Sequence, residues 1–375
     1  MDKSTEIAVD SLMVEANITI MQKPIALSLV QRAFNKVCLK QSNRHCNKVK
    51  NHLALYTKGW QIQHLEVGAQ ISDRKNSTVP NQRGLSYDSN YFVKTQINGT
   101  VNNTFAYSIG AQVQQEDSYL ENTYISVDTG FGQVDLGYKP HWLSPFQNSA
   151  MLISSHAPTF ANISWHNNSP LSSLNLNYEI FIGQLSESNN IYFGGELTTG
   201  KPLLTGIHLE ISPWPGFSLA ANRIMQSGGQ GRDLTFSELI DAFVNPSGAD
   251  NTSENLSVDE QFGNQAASIT SKFSFSGDYP FSLYFEYAGE DTSRGSNIRL
   301  GNSALSAGLF LPYLSEDMSL TIEWSDWQNA WYSHSVYRDG LSNQGSFIGH
   351  WGAEYRNQQT NVQGDGVGAQ HFMLN

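Results

Sequence analysis

Apolar and polar residues alternate with a period of two along several segments of this chain. In the clearest segment, one face carries the apolar residues Phe281, Leu283, Phe285 and Tyr287. The same alternation recurs over residues 203–211, 267–275 and 318–324. Successive side chains of a β-strand point to opposite faces, so this period predicts strands that are apolar on one face only.

The amino-terminal residues follow a different period. Leu29, Phe34 and Val37 fall within one short segment that predicts a helix, and a further apolar set around Val49 suggests another. The change of period comes at about Gly59. We therefore predict a small α-helical domain over residues 1–58 and an all-β region over residues 59–375.

The connections between predicted strands alternate between tight turns and long polar loops. Tight turns include Pro213 to Gly216 and Gly277 to Pro280, whereas Pro140 to Pro158 and Ser227 to Gln265 are long. Short turns on one rim and long loops on the other are typical of a transmembrane antiparallel up-and-down β-barrel. Counting in this way gives about fourteen strands. The final residues do not resemble a closing strand, so we expect a barrel that is truncated at its carboxyl end.

Composition further limits the classes of protein to which this chain can belong. No stretch reaches the ~18 to 20 consecutive apolar residues of a membrane-spanning helix. The formal charge of −12 disfavours a nucleic-acid partner. Cys38 and Cys46 either pair in an oxidising compartment or remain free thiols, because spacing alone does not decide. Residues 1–11 lack the pattern of a signal peptide, and we interpret the chain as a mature or trimmed form.

Several ordered motifs resemble the Wzi capsule-assembly family of outer-membrane proteins. The resemblance begins over Gly132 to Met151 and is strongest at Asn222 to Arg232, which reads NRIMQSGGQGR. It continues in the same order through GNQA at Gly263, GED at Gly289 and the stretch Tyr337 to Gly352. The helical segment from Pro24 to Lys36 also looks like the periplasmic helices of the family.

The resemblance implies an eighteen-stranded outer-membrane barrel with a periplasmic helical domain and extracellular loops. It implies a lectin, without catalytic activity, that helps attach capsular polysaccharide or exopolysaccharide to the cell surface. Outer-membrane lipid would be the second partner, and the oligomeric state stays open. The alternative function is an outer-membrane diffusion channel, a porin with a polar lumen.

Sugar recognition uses flat aromatic faces and planar hydrogen-bonding groups, and the long loops supply both. The candidate polysaccharide-binding residues are His141, Trp142, Phe146, Arg232, Trp327, Trp331, Tyr332, His334 and Arg338. The plainer alternative assigns the tryptophans to the aromatic girdle of the barrel, and the arginines to pairs with acidic residues. Trp324 we assign to the girdle.

We predict no catalytic residues, no metal site and no cofactor. Glu290 and Asp291 adjoin, but neighbouring strand residues point to opposite faces and make a poor acid/base pair. His45, Cys46 and His52 lack a fourth ligand at zinc spacing. The GGQG run at Gly228 to Gly231 lacks the ending of a phosphate loop.

Overall fold

The computed structural model describes residues 1–40, 43–56, 59–74, 77–229, 231–232, 235–245, 257–290, 292–293, 296–315, 318–353 and 368–375. The helices are α1 (Lys3–Glu15), α2 (Leu27–Cys38), α3 (Arg44–Ala54) and α4 (Phe236–Val244), with a short 3-10 helix at Val258–Glu260. In the described parts of the chain, no helix is both long enough and apolar enough to cross a membrane. The predicted domain boundary at Lys58 lies outside the described residues.

The first half of the sheet structure comprises β1 (Trp60–Ala69), β2 (Tyr91–Thr100), β3 (Phe105–Gln114), β4 (Ser118–Leu120), β5 (Thr123–Asp128), β6 (Gln133–Tyr138), β7 (Ala161–His166), β8 (Asn177–Gln184), β9 (Ser188–Phe193) and β10 (Glu196–Gly200). The second half comprises β11 (Leu203–Trp214), β12 (Phe217–Ser227), β13 (Gly263–Phe275), β14 (Phe281–Glu290), β15 (Thr292–Ser293), β16 (Ser296–Leu300), β17 (Ser303–Ser315), β18 (Met318–Trp327), β19 (Ser342–Asn343), β20 (Ser346–Phe347) and β21 (Ala369–Leu374).

Fourteen of these strands form one antiparallel path in which each strand pairs with the next one along the wall. The order is β1-β2-β3-β5-β6-β7-β8-β11-β12-β13-β14-β17-β18-β21, and β4 pairs beside β3. Three small hairpins, β9–β10, β15–β16 and β19–β20, lie within the connections. This confirms the predicted up-and-down topology. The last strand, β21, contains the residues that did not look like a closing strand.

The two faces of the wall are inverted relative to a soluble sheet. On β13 and β14 most of the buried side chains are polar or charged, among them Ser268, Thr270, Lys272, Ser282 and Glu286. The exposed side chains on the same strands are apolar, among them Ile269, Phe285 and Tyr287. Apolar-out and polar-in alternation is the pattern of a transmembrane β-barrel, whose outer face meets lipid. Trp324 lies on this outward face opposite Ala307 and Phe372, as expected for a girdle residue.

The amino-terminal helices pack on the short-turn rim of the barrel. Asn17, just after α1, accepts hydrogen bonds from the backbone N–H groups of Gly216 (3.0 Å) and Ser276 (3.1 Å), which lie in two short turns. Val14 of α1 packs in one cluster with Tyr284 and Phe310 of the wall. The helices pack together around a core that includes Leu12, Met13, Val30, Ala33 and Val49.

Cys38 and Cys46 form a disulfide between the end of α2 and the first turn of α3, with their Cα atoms 5.5 Å apart. Of the two readings that the spacing left open, the structure therefore has the paired one. Thr235 and Glu238 form a capping box at the start of α4. Most of the loop that surrounds α4 lies outside the described residues.

Candidate functional site

The connection between β6 and β7 folds into the lumen instead of projecting from the rim. We call residues 139–160 the first plug segment, and all of them except Pro140 and Ser155 are buried. Carboxylates of the inner wall hold its backbone. Glu323 on β18 accepts from the N–H groups of Gln147 (2.7 Å) and Asn148 (3.1 Å). Glu286 on β14 accepts from Ser144 Oγ (3.3 Å) and more weakly from Met151 N–H (3.4 Å).

The first plug segment also joins the wall at its own start. Lys139 Nζ lies 2.8 Å from Asp135 Oδ2 on β6 and 2.9 Å from Glu179 Oε1 on β8. His141 Nδ1 lies 3.1 Å from the same Glu179 oxygen, and its ring stacks on Phe181 with centroids 4.0 Å apart. His141 is therefore engaged with the wall by both its ring face and its ring nitrogen.

Near its start, the first plug segment also contacts the helical domain. Trp142 and Lys23 exchange two backbone hydrogen bonds, of 2.9 and 3.0 Å, and the Lys23 ammonium lies 5.4 Å from the centre of the Trp142 ring. Lys23 also forms an ion pair with Glu6 of α1. Burial works to raise the pKa of Glu6, but the ammonium groups of Lys23 and Lys3 outweigh it and lower this pKa to about 2. The segment thus bridges the lumen between the wall and the helices.

The long connection after β18 supplies a second plug segment, residues 328–353. Its Ile348 carbonyl accepts from Ser154 N–H (2.8 Å), and the Tyr332 hydroxyl donates to the Met151 carbonyl. Glu290 of β14 accepts from the Tyr332 N–H (2.5 Å). The two segments share one hydrophobic cluster with the wall, which includes Leu143, Met151, Leu152, Phe181, Trp327, Trp331, Tyr332, Leu341 and Ile348. This packing disfavours a wide diffusion channel.

Eight of the nine candidate binding residues are buried, and Arg338 alone among them is exposed. Trp142, Phe146, Trp327, Trp331 and Tyr332 each have at most 4% of their surface exposed. Their rings pack inside the barrel, so in this arrangement they neither line the lipid-facing girdle nor offer a free face to a sugar. A role for them in binding stays a prediction.

The structure brings Arg232, His334 and Arg338 into one region near the long-loop rim. The guanidinium of Arg232 donates to the Gln261 carbonyl and interacts with the Tyr337 hydroxyl. The His334 and Tyr337 rings lie 5.9 Å apart, and Arg338 lies 5.9 Å from the centre of the Tyr192 ring. The sequence analysis did not single out Gln261 or Tyr337. The one sequence signal for Tyr337 is that it is the first residue of the family motif Tyr337 to Gly352. A third arginine, Arg223 on β12, donates to the Ala242 (3.0 Å) and Phe243 (3.2 Å) carbonyls of α4.

A cavity of about 550 Å³ lies between the helical domain, which lines it mainly with apolar residues such as Ile20 and Leu29, and the inner wall. On the wall side its lining mixes amide, hydroxyl and charged side chains, including Gln63, Gln96, Asn98, Tyr124, Asp135 and Glu179. Within the described ranges, no three His, Cys, Asp or Glu side chains are grouped so that they could hold a metal ion. Glu290 and Asp291 adjoin in the sequence. Glu290 accepts hydrogen bonds from the Tyr332 N–H and the Asn302 amide, while Asp291 lies outside the described residues.

Comparison with known proteins gives a family match and a solved structure of similar fold. The family model described as capsule assembly protein Wzi matches residues 66–363. The chain is similar to the solved structure of Wzi from Escherichia coli, described as an outer-membrane protein involved in group 1 capsule assembly and as a carbohydrate-binding β-barrel. The identity is 16% and the TM-score 0.71, over 100% of this chain and 80% of that one.

A curated protein of Klebsiella pneumoniae, described as an uncharacterized 55.8 kDa protein in the cps region, is 37% identical over 92 residues. That stretch is 24% of this chain and 17% of the Klebsiella protein, so the match spans less than a fifth of the relative. The similarity to the solved barrel confirms the predicted fold.

Proposed function

The chain belongs to the Wzi capsule-assembly family, whose model covers residues 66–363, and from this membership we propose that it is a non-catalytic outer-membrane lectin. It would help attach capsular polysaccharide or exopolysaccharide to the cell surface. The solved fold relative, described as a carbohydrate-binding barrel, supports this assignment. The observation that carries it in this chain is the plugged lumen, because the buried first plug segment and buried residues of the second take the place of an open channel.

The orientation that we propose follows from the two rims. Outer-membrane barrels have short periplasmic turns and longer extracellular loops. The long connections, with the exposed Arg338 and the β9–β10 hairpin, would therefore face the outside of the cell, and the apolar outer wall would contact membrane lipid. The helical domain, residues 1–58, would sit in the periplasm against the short turns.

Attachment of polysaccharide to cells tests the proposal directly. In a strain that lacks this gene, we expect surface polysaccharide to be made but released into the medium, and a plasmid copy to restore cell-bound polysaccharide. The purified protein in detergent should bind polysaccharide purified from the same strain. Polysaccharide that stays on the deletion strain, together with no binding in vitro, would refute the proposal.

Planar bilayers separate the lectin from the channel. Because residues of both plug segments occupy the lumen, the inserted protein should show no steady conductance steps. Steady steps of the size given by a general porin, measured in the same bilayers as a positive control, would favour the channel.

A further inference from the structure

Arg232 is a buried cation with unused hydrogen-bonding capacity. Its side chain is only 9% exposed, and the Nη2 group donates to the Gln261 carbonyl. The guanidinium also interacts with the Tyr337 hydroxyl, but its buried Nε and Nη1 atoms have no hydrogen-bond partner of good geometry among the described residues. Buried polar groups are nearly always hydrogen-bonded, and a buried charge is normally paired. In the part of the chain that the structure describes, two guanidinium nitrogens of Arg232 therefore still lack an acceptor, which a bound ligand would supply.

His334 adds a third donor to the same place. Its Nδ1 accepts from the Val336 N–H (3.1 Å), so the ring proton of the neutral imidazole sits on Nε2. Nε2 is buried and has no partner. Burial, with smaller contributions from Arg232 and Arg338, lowers the pKa of His334 to about 3, so the ring is neutral at physiological pH. It therefore offers an N–H donor beside the Arg232 cation.

Tyr337 ties the two donors together. Its ring lies 5.9 Å from that of His334, and its hydroxyl donates to the Gly228 carbonyl (2.8 Å). Burial raises the pKa of Tyr337, and the nearby Arg232 opposes this shift. Tyr337 also forms an isolated β-bridge with Ile191, which anchors it to the β9 strand. The cationic cluster Arg232, His334 and Tyr337 is thus fixed by backbone contacts at the long-loop rim.

Within the described ranges, no ion pair joins the cationic cluster or Arg338 to an acidic side chain. Asp339 accepts instead from Ser188 Oγ (2.6 Å) and Asn190 Nδ2 (2.8 Å). Asp259 accepts from the Gly194 N–H (3.0 Å). The exposed Arg338, on the solvent side, adds a second positive charge. Arg232 is therefore a buried positive charge without an ion-pair partner among the described residues, and it lies near a further donor, His334 Nε2, that lacks an acceptor.

We propose that the cationic cluster binds the carboxylate of an acidic sugar unit in the polysaccharide. A sugar carboxylate brings two acceptor oxygens and one negative charge, which match the unpaired nitrogens of Arg232 and the Nε2–H of His334. This inference rests on the proposed lectin function and specifies its ligand as an acidic polysaccharide.

The test compares two polymers on matched proteins. The probes are surface polysaccharide purified from the host strain and the same material after its carboxyl groups are reduced to alcohols. The proteins are the wild type, Arg232→Gln and the control Arg299→Gln, which removes an exposed charge on β16. A hydrogen bond to a charged group is strong enough that we expect binding of the wild type to fall about tenfold or more on carboxyl reduction. Arg232→Gln should bind both polymers with the same low affinity, whereas Arg299→Gln should behave as the wild type.

The outcomes separate this inference from the function on which it rests. Wild-type binding that is unchanged by carboxyl reduction, or an Arg232→Gln variant that still discriminates the polymers, overturns the carboxylate site and leaves the lectin standing. Failure of the wild type to bind either polymer overturns the carboxylate site, and it refutes the lectin as well when polysaccharide also stays on the deletion strain. If Arg232→Gln does not fold, Arg232→Lys replaces it in the test, because this variant keeps the positive charge. Arg232→Lys should bind the acidic polymer less tightly than the wild type does, and it should still bind the acidic polymer more tightly than the reduced polymer. Equal affinity of Arg232→Lys and wild type would overturn the site.

Discussion

Glu323 is a wall residue that holds the first plug segment inside the lumen. Its carboxylate accepts three hydrogen bonds, from the N–H groups of Gln147 (2.7 Å) and Asn148 (3.1 Å) and from the Tyr284 hydroxyl (3.1 Å), and its side chain is fully buried. Glu323→Gln keeps the shape but turns an NH2 group toward donors, so at least one donor loses its acceptor. Since a hydrogen bond to a charged group contributes roughly 1.5–3 kcal/mol, we expect local opening of the first plug segment to become easier by about 2 kcal/mol.

A change of about 2 kcal/mol corresponds to about a 30-fold larger open population. Amide hydrogen exchange reports such local opening, so peptides that cover residues 143–152 should exchange about 30-fold faster in Glu323→Gln than in the wild type. The matched control is Glu196→Gln, which neutralises an exposed carboxylate on β10. Exchange in Glu323→Gln that equals both the wild type and this control, in a folded barrel, would show that Glu323 does not hold the segment.

Three further outcomes are expected. The pKa of Glu6 is lowered from 4.5 to about 2, so its pairing with Lys23 stabilises the fold above pH 4.5, and this contribution is lost as the pH falls towards 2. The fluorescence of Trp142 should report this loss of stability. The Glu6→Gln variant should show a flatter dependence of that fluorescence on pH. Opening the Cys38–Cys46 disulfide with a reductant should lower the stability of the helical domain by roughly 2–3 kcal/mol, read by thermal unfolding, since it closes a short loop. Trp331→Ala should cost about 3–5 kcal/mol of unfolding free energy because the side chain is fully buried, and an unshifted unfolding transition would contradict that packing.

The wall of the barrel could be predicted from the chain because its signal is local. Alternation such as Phe281, Leu283 and Phe285 depends only on strand geometry, and every side chain on one face meets the same medium. The difference between the short-turn rim and the long-loop rim could be predicted for the same reason, because the length of each connection is local to its part of the chain. The disulfide could not be decided in this way, because pairing of Cys38 with Cys46 depends on how α2 and α3 meet.

The plug could not be predicted, because its contacts join parts of the chain that are far apart. Gln147 meets Glu323, which lies 176 residues away, and Ser154 meets Ile348. A loop tryptophan such as Trp142 has the same sequence signature whether it covers a sugar, lies at the membrane interface or fills the lumen. Only the folded chain distinguishes these places.

The inverted wall explains why the loop aromatics became core residues. Its apolar side chains, such as Ile269 and Phe285, face outward, while the inner face presents Ser268, Thr270 and Glu286. An interior built on such a wall has to take much of its apolar material from the connections, and Trp331, Tyr332 and Phe146 supply it. Because their rings pack inside the barrel, the proposed ligand site uses polar and charged groups at the mouth. Under that proposal, loss of binding in an alanine variant of these aromatics would report unfolding of the plug, whereas loss in Arg232→Gln would report loss of recognition.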